Sequence, residues 1–303
     1  MSKRPQTSEA LLDRLEWTVI RRLDGLLQGQ YRTLFRGSGV DFADLREYEL
    51  HDDVRSIDWN VTARLDTPYV REYTEEREIT AWFLCDLTPS LDFGSVKEAK
   101  RRVLIEFAAV IARILTRGGN RVGAILYHGD RISMLPSRSG RQFVLRIIHE
   151  LENQPTYDRS PPTDLGEFLD AARGIIRRRS LVFLLSDFHS VAGWEAPLGA
   201  LAMNHEVLAV RIFDPFEVKL PDIGIVPMYD AESGAQVDVD TGSRQFRRRY
   251  AEVASENAAQ VRDSLANAAV DGIELSTEDD LVTTIVDYIR LKNHRAMYGE
   301  AMR

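Results

Sequence analysis

The chain has 303 residues, 44% hydrophobic and 28% charged, with a formal net charge of −8. That is enough for one large domain with a full core, and the mixed, acidic balance gives no global reason to bind nucleic acid. A single cysteine excludes an internal disulfide. No window approaches the ~18 apolar residues of a membrane span, and the basic start leads into no apolar segment of a secretory signal, so a cytoplasmic protein is expected.

Residues 8–30 carry Leu11, Leu12, Leu15, Val19, Leu23 and Leu26 at helical spacing, with Ser8 as the expected N-cap. From Tyr31 to Arg77 the chain is irregular and highly charged, with "YVREY" reading as a strand. The rhythm then changes. "ITAWFLCD" (79–86) reads as a buried strand, and residues 95–118 as a long helix. Residues 121–129 and 131–137 read as a hairpin turned at Gly129-Asp130, and residues 140–153 as a helix. After the loop "QPTYDRSPPTD" come a helix (165–179), a second apolar strand (180–187), a helix near 193–203 and a third strand (206–214). The remainder predicts a hairpin (223–240), a helix (243–268), a short strand (272–277) and a last helix from about 279. Apolar strands alternating with helices predict an α/β fold, a Rossmann-like parallel sheet with helices on both faces. The basic runs Arg177-Arg178-Arg179 and Arg247-Arg248-Arg249 read as solvated helix ends or faces.

Ligands of such sheets bind outside the carboxyl ends of the strands. Three strands end in acid, at Asp86, Asp187 and Asp214. Asp86-x-Thr88-x-Ser90 puts one carboxylate and two hydroxyls on a single loop. Thr163 precedes the helix that leads to the Asp187 strand, so Asp86, Thr88, Ser90, Thr163 and Asp187 can converge over one sheet edge. This all-oxygen set suits a hard divalent ion, Mg²⁺ or Mn²⁺. The alternative is purely structural, because acids end strands and Ser90 or Ser95 can cap the following helix. Ser90 lacks the glycines of a nucleophile elbow, and the glycines of "TRGGNRVG" precede a strand instead of opening a helix. His189 is the one histidine near these loops, read as solvent-facing, with a base as the alternative. Cys85, inside an apolar run, reads as a buried and inert thiol.

The five residues resemble the metal-ion-dependent adhesion site of von Willebrand factor A domains, whose pattern is D-x-S-x-S, then Thr, then Asp. The block "DFADLREYELHDDVRSIDWNVTARLDTPYVREYTEERE" (41–78), with "LLSDF" (184–188) and "FDPFEVKLPDIG" (213–224), resembles the bacterial family called domain of unknown function 58. The resemblance runs over about residues 30–290. It implies a non-enzymatic adaptor that works with a MoxR-type AAA+ ATPase and a client protein, in a chaperone-like or metal-insertion role. It also implies four regions: an N-terminal helix (1–35), a charged segment packed on the main domain (36–78), a von Willebrand A-like domain (79–293) and a tail (294–303). A metal-free scaffold and a metal-dependent hydrolase are the alternatives. The chain departs from the family pattern at Thr88, which adds a methyl to the hydroxyl position, at Pro89, which biases Thr88 to extended geometry, and at Leu50-His51, where the family tends to have Pro-Gly. Within 41–78, alternating charges such as Asp52, Arg55 and Asp58 read as fasteners of the segment or as a docking face, with Trp59, Tyr69 and Tyr73 as apolar anchors.

Overall fold

A computed structural model describes residues 7–27, 45–49, 54, 57, 59–65, 67–71, 78–93, 99–154, 161–229 and 236–300. Residues 1–35 and 80–303 form one compact unit and residues 36–79 a second.

The second unit holds β1 (Leu45–Glu47) paired antiparallel with β2 (Tyr69–Arg71), and a short helix between them, Trp59–Leu65. The strand expected in "YVREY" is present, and the helix was not anticipated. Trp59 is exposed and Val70 is buried, so among the described residues the apolar anchor is Val70. Leu50, His51, Asp52, Arg55, Asp58 and Tyr73 lie outside the described residues.

The larger unit begins with α1 (Ser8–Leu15), a π-helical turn (Glu16–Ile20) and α2 (Arg21–Leu27). Thr7, not Ser8, is the N-cap: its hydroxyl accepts from the Ala10 amide at 3.3 Å. The wider turn rotates the apolar stripe, so that Val19, Ile20 and Leu23 are buried while Leu26 faces solvent. The strands and helices then alternate as β3 (Thr80–Asp86), α3 (Lys100–Arg117), β4 (Arg121–Tyr127), β5 (Ile132–Arg138), α4 (Arg141–Glu152), α5 (Leu165–Ile175), β6 (Leu181–Ser186), α6 (Glu195–Ala202), β7 (Glu206–Phe213) and α7 (Pro215–Val218). A hairpin of β8 (Ile225–Tyr229) and β9 (Gln236–Asp240), α8 (Arg244–Asn267), β10 (Asp271–Ser276) and α9 (Leu281–Glu300) complete the unit. Helix α9 runs to Glu300, into the residues expected to form a tail. The helix predicted over 165–179 stops at Ile175, so Arg177 to Arg179 follow the helix instead of ending it.

The sheet order is β10-β7-β6-β3-β4-β5, and every pairing is parallel except β4 with β5. This is a Rossmann-like, mostly parallel sheet of the α/β class that the sequence predicts. Alternate residues face opposite layers: Trp82, Leu84, Val182 and Leu184 pack toward Phe168, Leu198 and Leu265, whereas Phe183 meets Phe107 of α3 edge-on at 6.3 Å. From β3 the chain moves outward to β4 and β5, then returns to lay β6 on the other side of β3. The topological switch therefore lies between β3 and β6, where Asp86 and Asp187 emerge.

Helix α1 packs over α3 and α4 with buried Leu11, Leu12 and Leu15, and α2 packs against α9. Ion pairs Arg14–Glu106, Arg113–Glu16, Arg141–Asp13 and Arg117–Asp24 frame that seam. Each exposed pair contributes little by itself; burial of the leucines carries the docking.

Gly123 marks the register shift between β4 and β5, and a Cβ there would lie 2.7 Å from the Trp82 ring. Gly123→Ala is expected to lower the urea-unfolding free energy by about 1–3 kcal/mol, since the ring must move within a packed layer.

Candidate functional site

All five residues anticipated for a cation site are buried. Asp86 is the last residue of β3, and the chain turns directly after it. Its Oδ1 accepts from the Thr88 amide at 3.1 Å and from Thr88 Oγ1 at 2.7 Å. Thr88 is extended, with φ −67° and ψ 161°, the geometry that Pro89 favours. A 3₁₀ turn, Pro89–Asp92, then holds Ser90 Oγ 3.3 Å from Thr88 Oγ1. Arg101 closes this loop from below by donating to both oxygens of Asp92 and to the Leu87 carbonyl.

The β6 loop is built the same way. Ser186 Oγ donates to Asp86 Oδ2 at 2.7 Å and accepts from the Phe188 amide at 2.9 Å, which ties the two strand ends together. Asp187 Oδ1 accepts from the His189 amide at 3.0 Å. Phe188 takes φ +61°, an uncommon conformation for a residue with a Cβ, and its ring packs 5.2 Å from Trp194. Strain next to a buried carboxylate is a recurrent mark of functional loops. Ser190 Oγ donates to the Thr163 carbonyl at 3.0 Å, and the Val191 amide donates to the same oxygen at 2.9 Å, so the loop before α5 is anchored to the β6 loop. The structure thus links all three loops that carry the five residues.

The third acidic strand end plays another part. Asp214 is the N-cap of α7 in a capping box, with its Oδ1 accepting from Phe216 N and Glu217 Oε2 accepting from Asp214 N, each at 2.9 Å. Its Oδ2 accepts from Thr277 Oγ1 at 2.7 Å. Asp214 fixes α7 and joins β7 to β10.

Lys100, which the strand-end pattern did not reveal, is fully buried in the first turn of α3. Its ammonium donates to Asp187 Oδ2 at 2.7 Å and to Glu217 Oε1 at 2.5 Å. One sequence signal marks it: Lys100 shares the helix face of Leu104, Phe107 and Ile111, where a cation needs a partner. The structure adds that it begins a run, Lys100-Arg101-Arg102, in a first helical turn that carries no acid and repels positive charge. Helix α3 starts at Lys100, five residues later than expected, with Ala99 in the cap position. Ser95, the anticipated cap, lies outside the described residues.

The two buried aspartates differ electrostatically. Burial pushes Asp86 up to about 6, the neighbouring Asp187 charge adds to the rise, and hydrogen bonds from Ser186 and Thr88 restrain it. Burial would raise Asp187 as well, but the Lys100 ammonium overcomes that and holds it below the usual range. Burial likewise disfavours the Lys100 charge, and Asp187 and Glu217 together more than restore it. Burial and the Asp86 charge push the Cys85 thiol far up, as an inert side chain requires.

Two overlapping sets of donors could therefore hold a metal. Asp86, Thr88, Ser90, Thr163 and Asp187 form an oxygen-only set suited to a hard ion. Asp187, His189 and Glu217 also bring ligand atoms within 4.8 Å of one another. That second group already shares the Lys100 ammonium, and the His189 side chain is 62% exposed. The oxygen set offers only carboxylate and hydroxyl oxygens, the donors that Mg²⁺ and Mn²⁺ favour.

Residues 44–260 match the family model described as "Protein of unknown function DUF58". The chain belongs to that family. An uncharacterized protein of Mycobacterium tuberculosis is 35% identical over 292 residues, covering 96% of this chain and 91% of that protein. BatB of Bacteroides thetaiotaomicron, a conserved hypothetical protein, aligns at 13% identity over 72% of this chain and 99% of that one, with a TM-score of 0.45. The VWA domain of SpRpn10 aligns at 10% identity over 70% and 95%, with a TM-score of 0.38. The fold assignment rests on the strand order, and no described helix is long and apolar enough to cross a membrane.

Asp86 gives a signed pH dependence. Its folded value lies above its ordinary 3.8, so folding favours the protonated form. The stabilisation is fully present below about pH 4 and is lost as pH rises through about 6. In EDTA, the unfolding free energy should fall on the order of 1 kcal/mol more between about pH 5 and pH 7 than that of Asp86→Asn. Parallel urea titrations of the two proteins check this.

Proposed function

We propose that this protein is a non-enzymatic adaptor whose adhesion-type site, made by Asp86, Thr88, Ser90, Thr163 and Asp187, holds Mg²⁺ or Mn²⁺ and presents it to a partner. One observation supports the reading: three loops that carry these carboxylates and hydroxyls are tied together at the topological switch point, with the Lys100 ammonium paired to Asp187. Two carboxylates against a divalent charge leave the ion nearly neutralised. Neutral hydroxyls in the remaining positions keep it Lewis-acidic, able to accept a carboxylate from another protein.

Catalysis is less well supported. The Thr88 hydroxyl donates to the Asp86 carboxylate and stands 3.3 Å from Ser90 Oγ, and among the described residues no histidine or lysine is hydrogen-bonded to either hydroxyl. His189 Nδ1 stands 3.8 Å from Asp187 on the exposed side of its loop.

The partner reading is what the resemblance to the domain of unknown function 58 family implies. A MoxR-type AAA+ ATPase is the proposed partner, with this chain linking it to a client protein in a chaperone-like or metal-insertion role in the cytoplasm.

Melting temperature in about 5 mM Mn²⁺ or Mg²⁺ against EDTA tests the site. A rise of about 2–6 °C is expected for the native chain and none for Asp86→Ala. Equal melting in metal and chelator would remove the metal from the proposal. A purified MoxR-type ATPase should be retained by the immobilised chain in the presence of ATP, and less so by Asp86→Ala. Retention unchanged by that substitution would move the docking face elsewhere.

A further inference from the structure

Lys100 is a buried ammonium with two carboxylate partners, only one of which belongs to the proposed cation site. Its Nζ donates to Asp187 Oδ2 at 2.7 Å, and Asp187 Oδ1 is occupied by the His189 amide. Both Asp187 oxygens are thus engaged within the chain. The other partner, Glu217, is held rigidly: Oε1 accepts from Lys100 while Oε2 accepts from the Asp214 amide in the capping box of α7. Glu217 lies toward the rim, with its side chain 19% exposed, whereas Asp187 lies inside.

We propose that Lys100 is a resident counter-cation that competes with a divalent ion for Asp187 and yields that carboxylate while staying paired with Glu217. The inference rests on the metal reading given above and adds a determinant of the site's affinity. Its physical basis is direct. An ammonium and a divalent ion cannot both sit against one buried carboxylate without strong repulsion, because little water screens them. Release of Asp187 does not strand the ammonium, since Glu217 still neutralises it. The ion-free site is therefore stable as it stands, and loading carries a fixed electrostatic cost set by Lys100. A Lys100 side chain that merely oriented Asp187 for the metal would have the opposite effect on affinity.

Titration of the native chain, Lys100→Met, Glu217→Gln and Asp86→Ala with Mn²⁺, followed by the electron paramagnetic resonance of the free ion at one fixed pH, tests the proposal. Lys100→Met should bind Mn²⁺ at least about tenfold more tightly than the native chain, because a unit positive charge leaves the site. Glu217→Gln should bind more weakly, and Asp86→Ala should abolish binding in both the native and the Lys100→Met backgrounds. In the Lys100→Met background, Glu217→Gln should lose most of its effect, since Glu217 acts through the lysine. Native binding with Lys100→Met equal or weaker would overturn the competition and leave the metal reading standing. Tight binding that survives Asp86→Ala in Lys100→Met would also overturn it, placing the ion on Glu217 and His189. Failure of every protein to bind Mn²⁺ would overturn the metal reading, and the competition with it. If Lys100→Met does not fold, Glu217→Gln decides: weaker binding supports the proposal, and unchanged or tighter binding overturns it.

Discussion

The buried ion pairs of Lys100 organise the upper edge of the sheet. One ammonium joins the first turn of α3, the end of β6 and the short helix α7, three segments far apart in sequence. Charges so deeply buried gain little net stability from each other, because desolvation offsets most of their attraction. Their value is positional. Removing Lys100 leaves both carboxylates without their shared cation, whereas removing either carboxylate leaves the ammonium one partner, so the lysine is the group on which all three segments depend. The α7 capping box and the Asp214–Thr277 bond extend the same constraint to β10.

Asp86 and Asp187 stand at neighbouring strand ends and are coupled through space, yet they meet different surroundings. Asp86 is stabilised only by neutral donors, Thr88 and Ser186, and so retains affinity for a proton or for added positive charge. Asp187 already has its cation. The site is thus asymmetric: one carboxylate has unmet demand for positive charge and the other is satisfied. The hydroxyls of Thr88 and Ser90 lie on the side of the unmet demand, which is where a cation would gain most.

Much of this was legible in the sequence. Continuous apolar runs such as Ala81 to Cys85 and Leu181 to Leu185 identify doubly covered strands, since a sheet with helices on both faces has no polar side. Strand-ending acids with nearby hydroxyls located the loops at the switch point. What stayed hidden depended on contacts between distant segments. Asp214 resembles Asp86 in sequence, and only the Glu217 and Thr277 contacts separate a helix cap from a site residue. Lys100 in "KEAKRRV" blends into a basic run, although its place on the apolar helix face conflicts with local rules. Such conflicts mark positions where tertiary contacts override local preference. The π-helical turn at Glu16–Ile20 left no comparable trace, because the stripe of leucines fits an ordinary helix equally well.

The origin of the loop order bears on what an ion can do here. In small metal-dependent domains the ligands are assembled by the metal, and binding energy becomes folding energy. Here the protein's own groups already hold the loops: Thr88 on Asp86, Ser186 between Asp86 and Phe188, Ser190 on Thr163, Arg101 on Asp92 and Leu87. A cation at this edge would add charge to an existing geometry. Preorganisation of this kind favours recognition, because the partner meets a formed surface and the cost of ordering is already met in the free protein. Thr88 is consistent with this view. Its extended backbone, imposed by Pro89, aims the hydroxyl at Asp86 and toward Ser90. The departure from serine therefore keeps a hydroxyl oxygen on Asp86 and beside Ser90.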